Sequence, residues 1–159
     1  MKPRAFADHD LAAIYAIQLM CPQAAQWREG DYLHLAHDPG GTILVAEMEA
    51  PNPPEVAGFL AFHRVMDEAE LRNIAVAPSH QQKGIASALV AAGIRLMQDF
   101  GVRKLFLEVR ASNEPALALY RAAGFQLRYK RHHYYHDPVE DALVMACDIP
   151  PLRREGDNN

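Results

Sequence analysis

Cysteine is scarce in this chain of 159 residues, which contains only Cys21 and Cys147. Two cysteines far apart in sequence form neither a disulfide framework nor a zinc-binding spacing. Both lie among apolar neighbours, so we expect them to be small buried side chains. Aromatic residues are also few, at 8%, whereas hydrophobic residues make up 50% of the chain. Small aliphatic side chains must therefore fill much of the core.

An excess of basic residues is missing too, since the formal net charge is -4. This balance argues against a nucleic-acid partner bound through phosphate contacts. No apolar run is long enough to span a bilayer, so we expect no membrane partner. Residues 1–10 are charged and lack the apolar core of a signal peptide. We therefore expect a cytoplasmic protein.

Histidine is clustered at one place, where His132, His133 and His136 lie close together. Carboxylate or cysteine partners at metal-ligand spacing do not accompany them. We therefore predict a solvated loop and no metal site.

The order of apolar, polar and turn-forming stretches predicts an α/β fold in a single domain over residues 1–149. A polar tail at residues 150–159 is expected to be disordered. Predicted strands cover residues 3–7, 43–48, 56–65, 70–76, 104–109, 125–130 and 141–148, and predicted helices cover residues 11–20, 23–37, 83–100 and 113–124.

The strand predicted at residues 70–76 has an irregular apolar pattern. Leu71 and Ile74 are three positions apart, whereas a regular strand repeats every two residues. A β-bulge would bring both side chains to one face, and bulges are frequent beside functional sites.

The loop before the long third helix has the properties of a phosphate-binding loop. A helix start offers unpaired N–H groups and a partial positive charge. Gly84 and Ala86 are small, so a pyrophosphate can approach the backbone closely. Tight packing of the helix would explain both small residues equally well.

Several motifs in this region, taken in order, resemble the Gcn5-related N-acetyltransferase superfamily (GNAT). Gln81, Gly84 and Ala86 match the family's Gln/Arg-x-x-Gly-x-Gly/Ala motif, and residues 74–78 stand where the family's strand ends in Val-x-Pro. Further matches lie at residues 105–109, 113, 118–120 and 124–125. The resemblance implies a mixed, mostly antiparallel sheet with helices on both faces, splayed near its middle strands.

The resemblance also implies acetyl-CoA as the acetyl donor and a set of residues that bind it. The expected cofactor-binding residues are Ile74, Ala75, Val76, Gln81, Gln82, Lys83, Gly84, Ile85, Ala86, Asn113 and Tyr120. Backbone groups of Ile74 and Val76 are expected to meet the pantetheine amides. For Asn113, capping of the following helix is an equally good explanation.

Two residues are candidates for acid and base catalysis. Glu108 is the only carboxylate in an apolar strand, and the resemblance makes it the base that deprotonates the attacking amine. The alternative is a partly exposed residue paired with Arg110 or a backbone group. The resemblance makes Tyr120 the acid that protonates the departing thiolate. The alternative is a core aromatic whose hydroxyl is hydrogen-bonded.

Within the superfamily, residues 107–113, 118–120 and 134–135 are similar to the subgroup that acetylates the N-terminal alanine of a ribosomal protein. This similarity implies direct transfer to a protein N-terminus, with Trp27, Asn73, Tyr134 and Tyr135 binding the acceptor. The subgroup's Pro-Trp-Ser is absent, because four residues separate Pro22 from Trp27. Transfer to a lysine, amino acid or small amine stays open, as does a non-catalytic acyl-CoA-binding module.

Overall fold

A computed structural model describes residues 1–49 and 52–153, and the strands and helices are those of these residues. Residues 150–153 have no regular secondary structure. The remainder of the predicted polar tail, residues 154–159, and part of the predicted turn near Pro51 lie outside the described residues.

Seven strands form one sheet in the order β1-β2-β3-β4-β5-β7-β6. They are β1 (Lys2–Ala5), β2 (Gly41–Met48), β3 (Glu55–Val65), β4 (Glu68–Val76), β5 (Lys104–Arg110), β6 (Gln126–Tyr135) and β7 (Glu140–Asp148). Neighbouring strands are antiparallel except for β4 and β5, which are parallel. The predicted mixed, mostly antiparallel sheet is confirmed.

Four helices cover the two faces of this sheet. They are α1 (Leu11–Leu19), α2 (Glu29–His37), α3 (Ile85–Asp99) and α4 (Glu114–Ala122). Helices α1 and α2 bury one face, which we call the α1/α2 face, and only side chains of β2, β3 and β4 join that core. Helices α3 and α4 bury the opposite face, the α3/α4 face, over β2–β5 and β7. On the α1/α2 side, β5, β7 and β6 therefore carry no helix of the described chain.

Strand β3 lies at the centre of the sheet because its side chains are apolar on both faces. Leu60 and Phe62 enter the core under α3, while Phe59 and Ala61 enter the core under α1 and α2. Helix α3 comes close to this strand at Gly93, where a Cβ atom would lie within 2.4 Å of the Phe62 ring. A side chain at this position would therefore push the helix away from the sheet.

The second helix begins later than its sequence suggests. A helix was predicted from residue 23, but α2 begins at Glu29. Residues between Pro22 and α2 are held by long-range bonds instead: the Asn73 amide bonds both backbone groups of Ala25, and the Gln18 amide donates to the Trp27 carbonyl at 2.8 Å. These tertiary bonds outweigh the modest helix propensity of the segment.

Most strands are longer than predicted, β4 and β6 among them. Strand β4 begins at Glu68 rather than residue 70, because the turn before it is formed by Met66 and Asp67, with Met66 at φ 56°. Strand β6 continues past residue 130 to Tyr135, although its pairing with β7 is irregular after Arg131. Helix α3 begins at Ile85, not residue 83, which leaves Gln82 and Lys83 in the preceding loop.

Candidate active site

The sheet opens between β4 and β5. Their pairing covers only Glu68–Lys104, Ala69–Leu105 and Glu70–Phe106. Beyond Glu70, β4 keeps its pairing with β3 but has no partner on its other side among the described residues. The predicted bulge is confirmed at the start of this gap: Ala61 pairs with Asn73 and Phe62 with Leu71, so Arg72 is the additional residue.

The backbone of β4 presents polar groups to this gap. The Ala77 N–H donates to the Ala57 carbonyl at 2.8 Å, which fixes the alternation of hydrogen bonds between β3 and β4. Because bonded and non-bonded pairs alternate in an antiparallel ladder, the N–H and C=O of Ile74 and Val76 point away from β3. The Val76 carbonyl accepts from Gln81 Nε2 at 3.0 Å and from the Cys21 thiol at 3.3 Å. The backbone N–H and C=O of Ile74 and the N–H of Val76 therefore point into the gap.

The loop of residues 81–84 lies at the same end of β4 and leads into α3. Gln82 and Gly84 have φ angles of 60° and 78°, and Gly84 is the N-cap of α3. A Cβ atom on Gly84 would meet nothing within 4 Å, so the backbone is open to solvent at this point. Unpaired N–H groups of the first turn of α3 face the same space, which suits an anionic phosphate.

Other predicted cofactor residues are placed differently by the fold. The side chains of Ile85 and Ala75 are buried in the two cores, so only their backbone groups are available to a ligand. Gln81, Gln82 and Lys83 are exposed, and Ala86 is half-buried. Asn113 caps α4, its side-chain oxygen accepting from the Ala116 N–H at 3.3 Å.

Glu108 lies in the middle of β5 on the face without a covering helix. Its neighbours Leu107 and Val109 enter the α3/α4 core, so Glu108 points to the opposite side of the sheet. Its side chain is 25% exposed, and its Oε1 lies 3.1 Å from Nε of Arg131. The ion-pair partner is therefore Arg131 rather than Arg110, which the sequence suggested.

Tyr120 lies on the other face, within the α3/α4 core. It is 5% exposed, and its ring packs against Phe125 with a centroid distance of 5.8 Å. Burial raises the pKa of Tyr120, so its hydroxyl keeps its proton at neutral pH. Within the described chain, no side-chain or backbone partner bonds this hydroxyl, which leaves its proton available.

Two tyrosines of β6 lie beside Glu108. Hydrogen bonding to the Glu108 carboxylate raises the pKa of Tyr134, and burial raises the pKa of Tyr135. Their rings meet edge to face with centroids 5.2 Å apart. The Arg110 guanidinium lies over the Tyr135 ring, with its Cζ 4.2 Å from the ring centroid.

The bulge that presents Tyr134 is anchored by Asp141 of β7. Between Arg131 and Tyr135 the pairing of β6 with β7 is out of register, and His133 has φ 51°. The Asp141 carboxylate accepts from the His133 N–H at 3.0 Å and lies 3.3 Å from the His132 ring. His132 and His133 thus lie in strand β6, whereas His136 lies in the turn that follows, and all three side chains are exposed. The prediction of a solvated loop is therefore wrong for His132 and His133 and right for His136. No metal-binding group of three ligands is found among residues 1–49 and 52–153.

Trp27 and Asn73 lie on the α1/α2 side of the gap. The ring centroids of Trp27 and Tyr32 are 5.0 Å apart. Trp27 also lines a cleft of about 520 Å³, which Glu70 and Arg72 of β4 line as well. Asn73 is 3% exposed, and its amide bonds the Ala25 backbone and the Tyr32 hydroxyl, each at 3.0 Å. Asn73 therefore holds the loop that carries Trp27.

Arg131 is the residue of this group that sequence reasoning missed. In the sequence it is one of three basic residues at positions 128–131, and no local pattern links it to Glu108. Strand alternation alone places Tyr129 and Arg131 on one face. The register across β7 cannot be read from the sequence. In the structure Val144 of β7 pairs with both Glu108 and Tyr129, which brings this face of β6 beside Glu108.

No helix of the described residues is long and apolar enough to cross a membrane.

Comparison with known proteins adds independent information on this site. Residues 11–125 match the acetyltransferase (GNAT) family. The [ribosomal protein bS18]-alanine N-acetyltransferase of Escherichia coli (strain K12) is 38% identical over 142 residues, covering 88% of this chain and 92% of that protein. The protein of the same name from Haemophilus ducreyi is 39% identical over 142 residues, with 87% and 94% covered.

Solved structures agree with this assignment. The crystal structure of the ribosomal-protein-S18-alanine N-acetyltransferase from Escherichia coli matches with a TM-score of 0.81 at 33% identity, covering 99% of both chains. A spermidine N-acetyltransferase mutant from Vibrio cholerae matches with a TM-score of 0.78 at 21% identity, covering 93% and 95%, which shows a shared fold only. From the family match and the long alignments above 30% identity, we conclude that this chain belongs to the GNAT family of acetyltransferases, which take their acetyl group from acetyl-CoA.

Proposed function

We propose that this enzyme acetylates the N-terminal α-amine of a protein, with Glu108 as the base and Tyr120 as the acid. The observation that carries the proposal is the position of these two residues on opposite faces of the sheet, with Glu108 on the part of β5 that lies beyond its pairing with β4. An amine that approaches from the Glu108 side can attack a thioester held in the gap. The leaving thiolate then emerges on the Tyr120 side.

The residues divide the reaction as follows. Glu108, directly or through a water, takes a proton from the amine, whose nitrogen then bonds to the thioester carbon. Backbone N–H groups of β4 stabilise the negative charge on the carbonyl oxygen. As the carbon–sulfur bond breaks, Tyr120 donates its proton to the sulfur. Replacement of Tyr120 by Phe should therefore lower kcat while leaving acetyl-CoA affinity largely unchanged.

The donor is expected to bind along the exposed backbone of β4 and the loop before α3. The backbone of Ile74, Ala75 and Val76 would pair with the pantetheine arm in the manner of an added strand. Residues 81–86 would hold the pyrophosphate at the start of α3. Residues 1–149 then act as one acetyltransferase domain, and a cytoplasmic location fits a donor and acceptor made there.

The choice of a protein N-terminus rests on the relatives and on the acceptor side of the gap. Relatives above 30% identity are named for acetylation of an alanine of ribosomal protein bS18. Trp27 lines a cleft beside Glu70 and Arg72 of β4, and the rings of Tyr134 and Tyr135 pack against each other on β6. Rigid aromatic walls of this kind suit a short first side chain followed by its own backbone. An α-amine also has a lower pKa than a lysine amine, so its deprotonation by the base requires less free energy.

Two versions of one lysine-containing peptide test this proposal. The first has a free N-terminal alanine, and the second has that terminus blocked with its lysines free. We expect acetyl-CoA-dependent turnover of the first peptide and little of the second. Faster acetylation of the blocked peptide would instead favour a lysine acceptor, and binding of acetyl-CoA without turnover of any amine would favour a non-catalytic module.

A further inference from the structure

Arg131 contacts the proposed base from two strands away. Its Nε lies 3.1 Å from Oε1 of Glu108, although β7 separates the two strands. In the ladder Arg131 pairs with Ala142, while Glu108 pairs with Val144. The arginine side chain therefore runs diagonally across β7, where these two smaller side chains leave room for it.

The Arg131 guanidinium contacts two aromatic rings in addition to the Glu108 carboxylate. It lies over the rings of Tyr129 and Tyr134, at 5.6 and 5.5 Å from their centroids, and Nη2 lies 3.4 Å from the Tyr129 hydroxyl. Aromatic faces attract such a cation and restrict its motion. The position of Arg131 is thus defined on three sides: by Tyr129, Tyr134 and Glu108.

This ion pair is a poor candidate for a stabilising contact. Arg131 is 46% exposed and Glu108 is 25% exposed. Pairs at such sites contribute little to stability, because solvent screens the charges and ordering the side chains costs entropy. The contact lies on the α1/α2 face, whereas the loop of residues 81–84 leads into α3 on the other face. A role of Arg131 in binding the donor's phosphates is therefore not supported by its place in the fold.

We propose that Arg131 is a positioning residue for Glu108: it fixes the orientation of the carboxylate that accepts the proton. The proposal rests on the proposed function, in which Glu108 is the base. Arg131 occupies part of the carboxylate at Oε1 and leaves the remaining lone pairs to the amine. Arg131 acts on acetyl transfer only through Glu108.

Arg131→Met tests the proposal, because it removes the charge and keeps a similar apolar stem. Lys130→Met is the matched control, since it removes the same charge from the same strand. Lys130 pairs with Leu143, whose side chain enters the α3/α4 core, so Lys130 points to the opposite face of the sheet. We expect Arg131→Met to lower kcat by about 10- to 100-fold without raising the acceptor KM. Lys130→Met should match the wild type, and Arg131→Lys should recover much of the loss.

The decisive measurement repeats Arg131→Met in a Glu108→Gln background. If Arg131 acts through Glu108, the second substitution should change kcat by less than about twofold there. Three results would each overturn the proposal. They are an equal loss of kcat in both backgrounds, a raised acceptor KM as the main effect of Arg131→Met, and a kcat of Arg131→Met equal to that of Lys130→Met. A near-normal rate of Glu108→Gln alone would overturn the base assignment itself, and the role of Arg131 with it.

Discussion

Gly84 offers the sharpest test of the donor site, because the chain contains a matched control for it. Gly84 and Gly101 have almost equal φ angles, 78° and 81°, and a Cβ atom on either would meet nothing within 4 Å. Valine at either position should therefore cost about the same strain, roughly 1–2 kcal/mol for a left-handed residue. Gly84 precedes α3 at the proposed phosphate loop, whereas Gly101 follows the end of α3.

The expected loss of affinity follows from the contacts that a side chain at Gly84 would block. A hydrogen bond to a charged group contributes about 1.5–3 kcal/mol. Losing one N–H···phosphate bond would therefore weaken acetyl-CoA binding by roughly 10- to 150-fold. Calorimetric titration should show this loss for Gly84→Val and unchanged affinity for Gly101→Val, while both lower Tm by a similar amount. Equal affinities in the two variants would refute the phosphate-loop assignment, because strain alone would then explain the glycine.

Three further predictions concern the acceptor side and the stability of the fold. Glu108→Gln should lower turnover by about 10²- to 10⁴-fold at pH 7, and the loss should shrink at higher pH as free amine accumulates; a near-normal rate at pH 7 would contradict it. Asn73→Ala should raise the acceptor KM and lower Tm, because it removes the partner of both Ala25 backbone groups and one of the two bonds of the Tyr32 hydroxyl; unchanged acceptor kinetics would show that this loop does not contact the acceptor. Asp10→Asn should lower the free energy of unfolding by about 2 kcal/mol at pH 7, since Asp10 is buried and paired with Arg4.

The pH dependence of the Asp10 effect has a defined sign. Burial works to raise the pKa of Asp10, but the hydrogen bonds from Arg4 and the Ala7 N–H outweigh it, and the pKa is lowered. The unfolded-state pKa is about 3.9, so the stabilisation is complete above that value and disappears as the pH falls through the lower folded-state pKa. The difference between wild type and Asp10→Asn in chemical denaturation should therefore be constant near neutrality and vanish in strong acid. A difference that persists in strong acid would mean that the carboxylate charge is not its source.

Local patterns were sufficient to predict most of the sheet and the bulge at its opening. Apolar stretches bounded by turn-forming residues predicted the strands, and the three-residue spacing of Leu71 and Ile74 predicted the bulge that the structure has at Arg72. Both are properties of consecutive residues, which sequence reasoning can evaluate directly. The same reasoning correctly predicted that Glu108 lies on a strand and Tyr120 on a helix.

The errors arose where distant residues decide the outcome. The segment before α2 has helix-compatible residues, yet bonds from Asn73, almost fifty positions away, keep Ala25 in a loop. Likewise, the partner of Glu108 was sought nearby at Arg110, whereas the register of three strands brings Arg131 to it. Propensity is a weak influence beside such tertiary contacts, and register is not encoded in any short segment.

The three-residue pairing of β4 with β5 also has a consequence for how the chain folds. Strands β1–β4 precede α3 in sequence and β5–β7 follow it, so each side of the gap is a contiguous, mainly hairpin-paired unit. Joining the two units requires a crossover through α3, and the sheet gains only three residue pairs between β4 and β5. Closing this long connection costs chain entropy, and so few backbone pairs offset little of that cost. Docking of α3 must therefore provide most of the driving force for this step. We expect substitutions under α3 to slow folding, and substitutions within either hairpin unit mainly to speed unfolding.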